Sequence, residues 1–279
     1  MSADPAALGD LVDLCRGRRL AALTGAGVST DSGLPDYRGT GSSGTPTVDI
    51  DLFLSDPMWR RWVWEQNQRT WRACEALEPS DGHRALARLE RAGLLAGVAT
   101  QNVDGLHQKA GSRRVAELHG SFRWADCLQC GRRFPRAWLD GELRRENPWL
   151  SDDPDPAHVA ILARIDDEGA RASRLRLVDC PECGGMLKPD VVFFGESLPE
   201  EAMAQAFSLA DECEVLLVVG TSAKVSTALY VAGQAAGGGA DLAVINRGPT
   251  DLDDSGALAV RIEGGAGPVL SALADALGA

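Results

Sequence analysis

The 279-residue sequence predicts an α/β fold: a doubly wound parallel sheet of the Rossmann type, with a smaller domain made of a helical insertion and a four-cysteine module. Three observations predict it. Short apolar runs are continuous rather than alternating, as in parallel strands covered on both faces. Helical patterns separate these runs. Two C-x-x-C pairs and a tryptophan-rich stretch interrupt the rhythm, each in one place.

The elements follow in order. Arg19–Thr24 (RLAALT) is a buried strand that ends in Gly25-Ala26-Gly27, a turn expected to open a helix. Pro35–Ser80 begins Gly- and Ser-rich, then turns helical around Trp59, Trp62, Trp64 and Trp71. Gly82–Ala92 reads as a helix, Leu94–Thr100 (LLAGVAT) as a second strand and Val115–Leu118 as a weak third. Gly120–Met186 holds the cysteine pairs and a Pro- and Asp-rich stretch, Asn147–Pro156. Then come a helix at Pro199–Glu212, the strongest strand at Val215–Gly220 (VLLVVG), a helix at Ser226–Gly237, a strand at Asp241–Asn246 and a helix at Pro268–Leu277. The larger domain is accordingly drawn from residues 1–34, 81–119 and 187–279, the loop and helical insertion from 35–80, and the cysteine module from 120–186. No internal repeat is evident.

The net charge of −12 disfavours direct nucleic-acid binding, because phosphates are repelled; it suits simple solubility or a basic, lysine-rich partner. No run of 18 or more apolar residues is present, so no membrane-spanning helix is expected. Met1–Asp13 carries Asp4, Asp10 and Asp13 and no basic residue, unlike a secretory signal or an Arg-rich transit peptide; the expected location is cytoplasmic. Seven cysteines, an odd number, argue against a disulfide framework.

Cys127-Leu-Gln-Cys130 and Cys180-Pro-Glu-Cys183 read as two zinc knuckles. Each C-x-x-C turn presents two sulfurs to one ion, and two turns complete a tetrahedral S₄ site. Gly131, Gly184 and Gly185 supply the tight turns beyond them. The 49 residues between the pairs require an insertion to loop out. A pair of redox dithiols, or unrelated buried cysteines, is the alternative. An S₄ set leaves no open position, so the Zn²⁺ is expected to be structural, stapling a small core. Cys15, Cys74 and Cys213 read as ordinary buried cysteines.

Gly25-Ala26-Gly27-Val28-Ser29 follows a strand, and glycines there let backbone approach a pyrophosphate. The third glycine of G-x-G-x-x-G is absent, Thr30 standing in its place, so a purely structural turn is an alternative. Gly220-Thr221-Ser222, Asn246-Arg247-Gly248 and Thr100-Gln101-Asn102-Val103-Asp104-Gly105 also end strands. In an open parallel sheet these ends converge on one crevice, where ligands bind. Clustered Gln, Asn and Asp are costly there unless paired or functional. Of four histidines, His83 at a helix start reads as structural, His107 as packing or hydrogen-bonding, and His158 has no evident partner. His119 is the best candidate base.

GAGVSTDSGLPDYRG (Gly25–Gly39), TQNVDGLH (Thr100–His107), ELHGS (Glu117–Ser121), the two C-x-x-C pairs, LKPDVVFFGE (Leu187–Glu196), GTS (Gly220–Ser222) and NRG (Asn246–Gly248) resemble the sirtuins, in the same order. The resemblance spans about Leu20 to the C-terminus and looks most like the class II branch. It implies an enzyme that cleaves the nicotinamide–ribose bond of NAD and passes the acyl group of a modified lysine to ADP-ribose. Gly25, Ala26, Gly27 and Ser29 would hold the phosphates, with Asp36, Tyr37 and Arg38 on a loop over the cofactor. Gln101, Asn102, Val103 and Asp104 would bind nicotinamide and its ribose, with Asn102 and Asp104 taking part in catalysis. Gly220, Thr221, Ser222, Asn246, Arg247 and Gly248 would serve the adenosine half, with Ala266 near adenine. Val192, Phe193 and Phe194 would pair with an acylated-lysine peptide as an added strand. His119 would be the general base that deprotonates a ribose hydroxyl.

The chain departs from the family pattern in three places. Leu34 and Tyr37 stand where Ile and Phe are usual. The continuation of GTS is usually L-x-V-x-P and here is Ala223-Lys224-Val225-Ser226-Thr227. No Tyr-x-x-Arg pair follows the cofactor loop, so a preference for acidic acyl groups has no support. Mono-ADP-ribosyl transfer or NAD hydrolysis at the same site is the enzymatic alternative. A binding module without turnover is disfavoured by His119, Asn102 and Asp104. A dehydrogenase is disfavoured by the zinc insert and the absent glycine.

Overall fold

The computed structural model describes residues 4–34, 48–150 and 169–279. Its main sheet has six parallel strands in the order β3-β2-β1-β7-β8-β9. These are β1 (Leu20–Thr24), β2 (Leu95–Thr100), β3 (Val115–Glu117), β7 (Val215–Val219), β8 (Asp241–Asn246) and β9 (Leu258–Glu263). The chain builds outward from β1 to β2 and β3, then returns to the other side of β1. The switch point of a doubly wound sheet therefore lies between the carboxyl ends of β1 and β7.

Every residue of β1 and β7 is buried, and the two-residue period of a strand divides them between two cores. Leu20, Ala22, Leu217 and Val219 face one core with Leu11 and Cys15 of α1 (Pro5–Cys15), Leu86 and Leu89 of α4 (Asp81–Arg91), and Leu270 and Leu273 of α10 (Ala266–Ala276). Ala21, Leu23, Leu216 and Val218 face the other, with Leu209 of α8 (Glu200–Glu212) and Val231 of α9 (Ser226–Gly237). Burial on both faces is why these strands lack alternation.

A three-stranded antiparallel sheet, β5-β4-β6, forms the smaller unit from β4 (Gly120–Cys127), β5 (Arg133–Pro135) and β6 (Leu187–Val191). Its core joins Phe134 and Leu187 to Phe53 of α2 (Ile50–Ser55), Trp62 and Trp64 of α3 (Pro57–Ala76), and Leu139 and Leu143 of α6 (Arg136–Glu146). β6 opens the last segment assigned by sequence to the larger domain, yet its hydrogen bonds run to β4. Two short helices, α5 (Leu106–Ala110) and α7 (Gly169–Arg174), complete the described elements. No described helix is long and apolar enough to cross a membrane.

Two local readings change. The glycine turn after β1 opens two 3₁₀ turns, Ala26–Val28 and Thr30–Ser32, not an α-helix. Backbone bonds from Gly25 and Gly27 to β7 and its following loop hold this segment against the sheet end. The sixth strand, β9, escapes the apolar-run criterion because it is an edge strand, only partly buried.

Candidate functional site

The site is built on backbone contact between two strand-end loops. Gly27 N–H donates to the Gly220 carbonyl at 2.8 Å, and Gly25 N–H to that of Val219 at 3.0 Å. Gly220 adopts φ +62°, and a Cβ there would lie 2.5 Å from the Val28 nitrogen. Only glycine fits such an approach in a left-handed conformation. The glycine turn thus seats one loop on the other. Gly25, Gly27 and Ser29 N–H groups already donate within the chain.

A polar cluster lies at the adjoining ends of β1 and β2. Ser29 Oγ donates to Asp104 Oδ2 at 2.8 Å, and Asn102 Nδ2 donates to Ser29 Oγ and to the Gly25 carbonyl, both at 3.1 Å. Asp104 Oδ1 also accepts from Leu106 N–H at 2.9 Å. Burial pushes the Asp104 carboxyl above its ordinary value, against these donated bonds. Beneath lie Thr24 and Thr100, whose hydroxyls meet at 2.8 Å. Thr100 Oγ1 also accepts from Asn102 N–H at 3.1 Å. The strand-end segment Gln101–Asp104 is therefore anchored from below, and each of its polar side chains has a partner.

His119 follows β3 and precedes Gly120, whose φ is +78° and whose Cβ would overlap the Asp190 carbonyl. The imidazole is held at both nitrogens: Nδ1 lies 3.0 Å from the Gln101 carbonyl and Nε2 3.2 Å from Thr227 Oγ1. A carbonyl only accepts, so Nδ1 carries the hydrogen, and neutral Nε2 offers a lone pair. Burial lowers the His119 pKa, partly offset by the Gln101 carbonyl. A neutral imidazole with a defined basic nitrogen is the state a general base needs.

Thr221 Oγ1 donates to Gln101 Oε1 at 2.8 Å, tying the loop after β7 to the same segment. Asn246 turns its Nδ2 onto the carbonyls of Arg247 and Gly248. The Arg247 guanidinium lies across Gly265, where a Cβ would sit 2.6 Å from Nη2. Ala266, at the start of α10, is buried in the core.

The four sulfurs of Cys127, Cys130, Cys180 and Cys183 all lie within 4.8 Å of one another, with Cys127–Cys183 at 3.5 Å and Cys130–Cys180 at 3.8 Å. A tetrahedron with Zn–S bonds of about 2.3 Å has edges of roughly 3.8 Å. The separations fit that ion. The backbone N–H of Cys130, foremost, lowers the Cys127 thiol, while, against their backbone hydrogen bonds, the neighbouring sulfurs push Cys130 and Cys183 up. The cysteines are positioned to bind zinc, with no open position for catalysis.

A sequence model of the Sir2 family matches residues 25–227, from the glycine turn through Thr227. The chain belongs to the Sir2 family. It is 44% identical over 269 residues to NAD-dependent protein deacetylase 1 of Mycobacterium avium (strain 104), covering 96% of this chain and 95% of that one. It is 42% identical to NAD-dependent protein deacetylase 1 of Streptomyces coelicolor (strain ATCC BAA-471 / A3(2) / M145), covering 97% and 90%. Among solved structures, a Sir2 complex with a p53 peptide and NAD+ superposes with TM-score 0.73 at 28% identity, covering 97% of this chain and 98% of that one.

In this Sir2 chain, Asp36, Tyr37 and Arg38 lie outside the described residues. The structure brings Ser29, Asn102 and Asp104 into one hydrogen-bonded group and Gln101, His119 and Thr221 into another, joined through the Gln101–Asn102 backbone, with Val103 buried beside them. Val192, Phe193 and Phe194 follow β6, and their N–H groups already donate to the His119 carbonyl, Glu196 Oε2 and the Val48 carbonyl. Sequence reasoning missed Thr24, Thr100 and Thr227. Thr100 and Thr227 stand within motif segments, but spacing alone assigns no role to a threonine there. His83 caps α4: its Nδ1 accepts from Ser80 N–H at 3.1 Å, completing a capping box with Ser80. The Ser-x-x-His spacing foreshadows that role. His107 meets Thr24 Oγ1 at 2.9 Å and packs edge-on against His83 at 4.7 Å.

Proposed function

We propose that this chain is an NAD-dependent protein-lysine deacylase that releases nicotinamide and O-acyl-ADP-ribose. The observation that carries this reading is neutral His119, anchored through Nδ1 beside the Asn102–Ser29–Asp104 cluster at the carboxyl ends of the central strands. The relatives' names support it, as do solved Sir2 complexes that hold NAD+ with a peptide, or a deacetylated p53 peptide with 3′-O-acetyl ADP-ribose.

NAD is the cosubstrate. Gly25, Ala26, Gly27 and Ser29 contact its phosphates, and Gln101, Asn102, Val103 and Asp104 its nicotinamide ribose. Gly220, Thr221, Ser222, Asn246, Arg247, Gly248 and Ala266 border the adenosine, and Asp36, Tyr37 and Arg38 belong to the covering loop. The acyl oxygen of the modified lysine attacks the anomeric carbon as nicotinamide leaves. His119 Nε2 then takes the proton of a ribose hydroxyl, which attacks the imidate carbon; the C–N bond breaks to release the lysine amine, and a water molecule opens the cyclic intermediate to O-acyl-ADP-ribose. The protein partner is an acylated-lysine segment laid along Val192–Phe194. Those N–H groups are engaged, and the Phe193 and Phe194 carbonyls already accept from Glu196 and Ile50 N–H, so it meets mainly side chains there, including the exposed Phe194 ring. Zinc held by the four cysteines orders the small sheet. Buried free thiols at Cys15, Cys74 and Cys213 suit a reducing, cytoplasmic setting.

The test is incubation with NAD and a panel of acyl-lysine peptides, following nicotinamide and acyl-ADP-ribose by mass spectrometry. Peptide-dependent nicotinamide release that disappears in His119→Ala is expected. NAD consumption without acyl-ADP-ribose would overturn the deacylase reading in favour of ADP-ribosyl transfer or hydrolysis.

A further inference from the structure

The β7–α9 connection contains the one non-glycine residue with positive φ among the described residues, Ala223 at +54°. A buried residue held in the left-handed region is unfavourable and persists only where its surroundings enforce it. Here they do. Thr221 Oγ1 accepts from Ala223 N–H at 3.1 Å while donating to Gln101 Oε1 at 2.8 Å. The bend delivers the first turn of α9 to the imidazole, where Thr227 is 2% exposed. Its hydroxyl has one hydrogen-bond partner among the described residues, His119 Nε2 at 3.2 Å.

A closed circuit results. Gln101 binds His119 through its main-chain carbonyl and the β7–α9 loop through its side chain. That loop leads back to His119 through Thr227. Nδ1 is a donor to the Gln101 carbonyl, so the threonine hydroxyl must donate to Nε2. The residue sits where the family's usual continuation has proline, which has no side-chain donor.

We propose that Thr227 is a positioning residue for His119, holding the imidazole plane between α9 and the Gln101 segment until a substrate hydroxyl takes its place at Nε2. The proposal rests on His119 being the base. Thr227 donates to the neutral ring and, by rotating its hydroxyl, accepts from the imidazolium once the proton is taken. Valine matches threonine in shape and removes both options.

Histidine ¹⁵N NMR on the whole protein reads the contact without turnover. In Thr227→Val the His119 Nε2 resonance moves downfield, as an unprotonated ring nitrogen does on losing a donated bond, while Nδ1 stays in place. In peptide turnover, kcat falls about tenfold with both KM values within about twofold, and Thr227→Ser restores most of the loss. An unmoved Nε2 resonance in a folded Thr227→Val protein overturns the contact. A moved resonance with wild-type kcat overturns the positioning role. Full turnover by His119→Ala removes the premise, and the NMR result, independent of the base assignment, identifies that failure separately.

Discussion

His119 carries its own pH prediction. Burial holds its pKa below the ordinary histidine value of 6.5, and the base role proposed for it requires the unprotonated ring. The acidic limb of kcat/KM should therefore have its midpoint below 6.5; a midpoint above it would contradict this environment. His83 predicts a stability effect. Burial lowers its pKa to about 4 from 6.5. The unfolded chain then gains a proton near pH 6.5 that the folded chain refuses until about pH 4. Its contribution is complete above pH 6.5 and is lost as pH falls through that window, about 3 kcal/mol in all. Urea titrations should show that loss, and His83→Gln should reduce it without abolishing it, because burial lowers His107 and His119 as well. At this scale the site was legible wherever residues came in contiguous motifs, as in ELHGS. Thr227 is separated from His119 by 108 positions, and no local pattern links them.

At the scale of elements, one partly buried ion pair shapes the stretch after β6. Lys188 Nζ lies 2.9 Å from Glu196 Oε2, donates to the Val191 carbonyl at 2.7 Å, and sits 4.2 Å from the Phe193 ring centre. Glu196 Oε2 in turn accepts from Phe193 N–H at 2.7 Å. Removing the cation leaves a carboxylate with little water to replace it. Lys188→Met should cost about 2–3 kcal/mol and raise the peptide KM more than that of NAD. Equal changes in both KM values would refute this local role. Gly220→Ala imposes a left-handed alanine against the Val28 nitrogen and should cost on the order of 2 kcal/mol, measured by denaturant unfolding. Periodicity revealed α4, α8, α9 and α10 because each pairs one apolar stripe with one core. It missed α1, marked by the Asp4 cap and Pro5 rather than by a long stripe.

At the scale of the molecule, the zinc module and the catalytic crevice are mechanically continuous. Cys127 ends β4, and β4 pairs Gly120 with Val191 immediately after His119. Chelating the zinc should raise amide exchange across β4 and β6 and lower peptide-dependent turnover. The main sheet should keep its protection, because its two cores lie apart from the cysteines. Uniform exchange across both sheets would show that the module instead supports the entire fold.

The sequence by itself determined the doubly wound class, the cysteine quartet and the list of strand-end motifs. Each is written in local spacing, which follows from backbone period or turn geometry. Tertiary structure alone decided that Gly25, Gly27 and Gly220 pack loop on loop. It also decided that Gln101 bridges His119 and Thr221, and that Thr227 reaches His119. These contacts join residues whose proximity depends on β1 and β7 lying side by side. Strand order is a property of the assembled sheet, not of any one segment.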